Sequence, residues 1–204
     1  SGAATLNINN NANAYTGGTT INSGTLAFGV AGSGSITDTP LGTGPVTVNS
    51  GATLALSRTY LANPLTLNNA TVTAGNSFNS TLPAGSTITL NGISAINVSG
   101  NLNIFGNMTG PGGITKGLAA TVPVTGNNNY TGPTTINVGG LLFAKPASLY
   151  NADSSQWIPA NITVASGAIL RLNVGGASDF TPAQVGTILG NLTTGLNTNG
   201  LKAG

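Results

Sequence analysis

The chain has 204 residues, five Lys or Arg against three Asp, no His and no Cys, and a net charge of +2. Without imidazole or thiol groups, Ser-His-Asp and Cys-His catalysis, zinc-type ligand sets and disulfide frameworks are all excluded. Charged residues make up 4% of the chain, against roughly 25% in an average domain. That is too few for a nucleic-acid footprint.

Hydrophobic residues supply 39% of the chain and mean hydropathy is +0.21, which separates it from disordered sequences. No apolar run approaches the length of a membrane span, so no membrane insertion is expected in this segment.

Short β-branched runs begin at Thr5-Leu6-Asn7-Ile8 and recur at 19–22, 46–48, 65–67, 87–90, 93–98 and 102–104. They resume at 134–137, 162–164 and 169–172. Period-two alternation with Gly, Asn and Pro between runs predicts strands and turns. Four segments share one grammar: INSGTLAF (21–28), VNSGATLAL (48–56), INVGGLLF (136–143) and VASGAILRL (164–172). Each is a strand, a Gly and a second strand. Gly24, Gly51, Gly139 and Gly167 are therefore expected at one aligned corner, in a left-handed conformation open to Gly without a Cβ penalty. ITLNGISAINV (88–98) offers a fifth variant with Gly92.

A longer repeat overlies this grammar. YTGGTTINSGTLAF (15–28) realigns with YTGPTTINVGGLLF (130–143) at an offset of 115 residues. Asp38 falls on Asp153 at that same offset. Strand centres recur every 19–28 residues, a solenoid period. No helical pattern intervenes before residue 178. The expected fold is an all-β, right-handed parallel β-helix of about eight coils over residues 1–176. Residues 177–204 are expected to hold one short helix and a tail. Thr181 stands as its N-cap, Pro182 at its first position, and Val185, Ile188 and Leu189 as an apolar stripe ending at Gly190.

The sequence around YTGGTTINSGTLAF resembles the autotransporter-associated β-strand repeat. The lead-in of that repeat is matched by Gly112-Gly113-Ile114-Thr115-Lys116-Gly117, and its centre by Thr125-Gly126-Asn127-Asn128-Asn129-Tyr130-Thr131-Gly132. Pro133 replaces the usual second Gly, and 119–124 depart from the lead-in. The resemblance implies an exported bacterial β-helix of the kind found in passenger regions of large surface proteins.

The three carboxylates make catalysis remote. Glycoside hydrolysis pairs two of them at about 5 to 9.5 Å, whereas Asp38 and Asp153 stand about five coils apart. No catalytic residue, metal ligand or cofactor is expected. Arg58, Lys116, Lys145, Arg171 and Lys202 are expected in solvated positions. Tyr15 and Tyr130 are expected to pack against their loops.

The leading expectation is a structural segment of an extracellular or cell-surface fibre. It rests on neutrality, exposed strand edges at the coil ends and scarce tryptic sites. Self-association is expected through Thr5, Leu6, Asn7 and Ile8 at one end and Leu196 and Leu201 at the other. The alternative is an adhesin module that contacts surface glycans through its long insertions, with Tyr150 and Trp157 as contact residues.

Overall fold

The computed structural model describes residues 4–10, 12–28, 38–75 and 79–193. The strands in chain order are β1 (Thr5–Ile8), β2 (Thr19–Ile21), β3 (Thr25–Phe28), β4 (Val46–Val48), β5 (Thr53–Leu56) and β6 (Leu65–Leu67). Then come β7 (Thr71–Ala74), β8 (Asn79–Leu82), β9 (Thr87–Leu90), β10 (Ser94–Val98), β11 (Asn101–Ile104) and β12 (Asn107–Thr109). The last are β13 (Ile114–Gly117), β14 (Thr121–Val124), β15 (Thr134–Ile136), β16 (Gly140–Phe143), β17 (Ile162–Val164) and β18 (Ile169–Leu172). Helix α1 (Pro182–Thr193) follows.

These strands stack into three parallel sheets, the faces of a solenoid. The first face runs β1-β3-β5-β7-β10-β13-β15-β17, the second β8-β11-β14-β16-β18 and the third β2-β4-β6-β9-β12. The eight expected coils are met by rungs on the first face only. Among the described residues the second and third carry five each, so the whole amounts to about six turns. Loops replace strands where the chain is longest between rungs, as between β16 and β17. Eight rungs at the usual strand spacing make a stack roughly 34 Å long.

Alternation supplies the core. On the first face, Leu6, Leu26, Leu54, Val72, Ile96, Lys116, Ile136 and Val164 stand in one register column. On the third, Ile21, Val48, Leu67 and Leu90 do the same. All of these except Leu6 are buried. Outward neighbours such as Thr20, Thr47, Thr66 and Thr89 also stack in register. β-Branched residues suit such a pleated, half-buried surface.

Directly after β2, β4, β6 and β9 an Asn enters the corner. Asn49 donates to Asn22, Asn68 to Asn49 and Asn91 to Asn68, each Nδ2 to Oδ1 at 2.8 Å. This amide ladder binds four successive coils. By the register of β12 on β9 the next position falls on Pro111, which has no side-chain amide to continue it.

The four corner glycines do not form a single line. Gly24 and Gly51 lead from the third face to the first, whereas Gly139 and Gly167 lead from the first to the second. The reason is arithmetic. The 115-residue repeat spans five turns plus one face, so its second copy is rotated by one side of the prism. β2 and β3 lie on the third and first faces, and their sequence equivalents β15 and β16 lie on the first and second. One grammar serves different faces because each corner asks only for a left-handed residue. The φ values are +74°, +78°, +69° and +82° for Gly24, Gly51, Gly139 and Gly167.

Helix α1 continues past Gly190 to Thr193. Ile188 and Leu192 are buried in the core cluster, and that anchorage offsets the roughly 1 kcal/mol a helical Gly costs relative to Ala. Its start is a capping box: Gln184 N–H donates to Thr181 Oγ1, and Thr181 N–H donates to Gln184 Oε1. No described helix is long and apolar enough to cross a membrane.

Candidate functional site

Between β16 and β17 the chain makes an insertion containing three 3₁₀ turns, Pro146–Ser148, Tyr150–Ala152 and Ser154–Gln156. Its aromatic side chains point inward. Trp157 is fully buried; its Nε1–H donates to the Leu149 carbonyl at 3.1 Å and its ring lies 6.0 Å from that of Phe180. Tyr150 is also buried. Trp157 is therefore closed to a ligand, against the expectation of a glycan contact there, while Tyr150, although buried, lines the cleft described below. The sequence placed them correctly in a long loop, but a gain of about 0.8 kcal/mol per buried CH₂ favours folding such rings under it.

Thr134 is the polar centre of this region. Its Oγ1 lies 2.6 Å from the Tyr130 hydroxyl and 3.0 Å from the Tyr150 hydroxyl. The Tyr150 hydroxyl also meets the carbonyls of Gly132 and Asn161 at 3.0 and 2.9 Å. The two rings tilt at 48° with centroids 5.0 Å apart. Burial pushes both phenols above their ordinary range, Tyr130 also through its neighbour Tyr150, while the bond to Thr134 opposes the shift. The repeat preserves the tyrosine bond: Tyr15 hydroxyl meets Thr19 Oγ1 at 2.8 Å. Tyr15 remains 43% exposed whereas Tyr130 is covered. Beside it, buried Asn128 accepts from Met108 N–H and donates to the Ser148 carbonyl, tying three coils together.

The middle turn is left-handed. Tyr150, Asn151 and Ala152 have φ of +53°, +50° and +63°, a conformation costing non-Gly residues roughly 1–2 kcal/mol each. Asp153 follows. The Ser155 hydroxyl and amide both donate to its Oδ1, at 2.6 and 3.0 Å, and they hold this exposed carboxyl below the usual range. A cleft of about 220 Å³ opens between the 129–131 and 150–156 segments.

Lys116 departs from the expectation of solvated cations. It stands in the inward column between Ile96 and Ile136 and is fully buried. Its Nζ donates to the carbonyls of Gly117, Leu118 and Val138, at 2.5, 2.7 and 3.4 Å. Those carbonyls belong to two successive corners, one of them at Leu118 with φ of +63°. Desolvation lowers the Lys116 pKa to about 8. Ordinary sequence reasoning misses such a residue, because Lys is almost never fully buried without partners; here backbone carbonyls are the partners.

The remaining sites are quickly placed. A Cβ at Gly24 would lie 2.5 Å from the Ala4 carbonyl, and one at Gly139 2.4 Å from that of Leu118; nothing stands within 4 Å at Gly51 or Gly167. Thr5–Ile8 form the outermost first-face rung, and Leu6 is 62% exposed although its column is otherwise buried. Leu196 and Leu201 lie outside the described residues. Asp38 and Asp179 belong to different ends of the chain, and no group of three or more His, Cys, Asp or Glu among the described residues could hold a metal ion.

Residues 1–28 and 120–142 match the family model described as Passenger-associated-transport-repeat. No curated protein and no solved structure matches the chain. The matched segments cover β1 to β3 and β14 to β16, the same three-strand unit set one face apart. The chain is a parallel β-solenoid, and two of its segments, about a quarter of its length, are similar to the passenger-associated-transport-repeat.

Proposed function

We propose that the chain is a non-enzymatic structural segment of an extracellular or cell-surface bacterial solenoid. The observation that carries this reading is the uninterrupted parallel rung stack bearing two transport-repeat matches. Its chemistry agrees. The three carboxylates are dispersed along the chain, and the buried side chains of Asn128, Tyr130 and Thr134 bind backbone or one another. Antibody labelling of producing cells tests the placement. Label on intact cells is expected; label seen only after permeabilisation contradicts it.

Self-association through β1 is part of the proposal. Leu6 occupies a core column yet stands largely in water, and the outer edge of β1 has no neighbouring strand among the described residues. Such edges template further pairing. At the β17–β18 end, Phe180, Ile188 and Leu192 bury themselves in the core cluster, and the expected contacts Leu196 and Leu201 lie outside the described residues. Sedimentation across a concentration series should show association of the parent chain and its loss in Leu6→Lys. A parent that stays monomeric at its highest soluble concentration contradicts it.

A further inference from the structure

We propose that the cleft between residues 129–131 and 150–156 is a binding site for one ring of a neutral saccharide. Its rim carries the exposed side chains of Asn129, Thr131, Asn151 and Asp153 over a floor of Tyr130 and Tyr150. Two amides, a hydroxyl and a carboxylate supply both donors and acceptors for sugar hydroxyls. The carboxylate is held in place and ionised by Ser155. Among the described residues no Lys or Arg lines the cleft, and the one charge there, the Asp153 carboxylate, repels an acidic sugar. At about 220 Å³, below the roughly 300–1,000 Å³ of drug-sized sites, the space suits a single ring.

Backbone strain is the independent observation. The chain holds 31 glycines, yet none stands at the three consecutive left-handed positions Tyr150, Asn151 and Ala152. Strained residues persist when their surroundings over-determine them, and they cluster at ligand clamps. Tyr150 supplies the anchor through Thr134, Gly132 and Asn161. The turn so fixed sets Asn151 and Asp153 together on the rim.

The site gives the adhesin alternative a defined place, distinct from the buried Trp157, and it does not depend on self-association or on cell-surface display. Saturation-transfer NMR with methyl glycosides of neutral hexoses, and a hexuronic acid for comparison, tests it. Transfer to a neutral glycoside is expected, reduced about ten-fold in Asp153→Asn by the loss of one charged hydrogen bond. Asn151→Gly should lose transfer as well while melting no lower than the parent, because the substitution relieves strain. Absence of transfer to every neutral glycoside, equal transfer in parent and variants, or preference for the hexuronic acid would overturn the proposal.

Discussion

Lys116 concentrates the chemistry of this fold into one side chain. Its ammonium binds carbonyls of two consecutive corners inside an otherwise apolar column. Lys116→Ala removes the donor from those carbonyls and leaves a void between Ile96 and Ile136. Thermal or urea unfolding should show a loss of about 2–4 kcal/mol. The pH dependence has a definite sign. The folded chain gives up this proton near pH 8 and the unfolded chain near 10.5. Between those values the unfolded state binds more protons, so stability rises with pH. Tyr130 and Tyr150 act in the opposite sense. Their folded pKa values are raised above 10.0, so the stability they contribute is lost as the unfolded chain ionises beyond that pH. Urea midpoints should therefore climb above pH 8 and turn down beyond about pH 10; a Lys116→Met variant should lack the climb.

Corners and ladders carry the argument at the level of elements. Gly139→Ala must accommodate both a left-handed alanine and a Cβ against backbone atoms of the coil beneath, whereas Gly51→Ala meets only the first difficulty. The expected losses are about 2 kcal/mol or more for Gly139→Ala and about 1 kcal/mol for Gly51→Ala. Equal unfolding midpoints would contradict the packing described for the Gly139 corner. Asn68→Ala interrupts the amide ladder at its middle and should cost about 1–2 kcal/mol through two lost bonds, measured by the same unfolding assay. The strands themselves were legible because period-two alternation sorts inward from outward residues. The ladder was written in the sequence too, as an Asn directly after Ile21, Val48, Leu67 and Leu90, but it reads as turn chemistry until the register shows the amides superposed.

For the whole molecule, the hidden quantity was rotation. Alternation says which way a side chain points relative to its own sheet and nothing about which of three sheets that is. Gly24 and Gly139 share a local sequence and a left-handed φ, yet turn different corners, since 115 residues do not make a whole number of turns. The burial of Trp157 was hidden for a related reason. Its partners, Leu149 and Phe180, come from opposite sides of β17 and β18. Only the winding brings them together.

The central claim is that the chain winds as in-register parallel rungs with the second repeat turned by one face. The chain has no cysteine, so engineered pairs report without background. Thr115 and Thr135 are register partners on the first face, as are Ala95 and Thr115, and adjacent parallel rungs stand about 4.8 Å apart, within disulfide reach. Oxidation of Thr115→Cys/Thr135→Cys and Ala95→Cys/Thr115→Cys should give rapid intramolecular disulfides, while Thr109→Cys/Thr135→Cys, which joins the third face to the first, should remain reduced. Closure of the third pair in place of the first two would contradict the account.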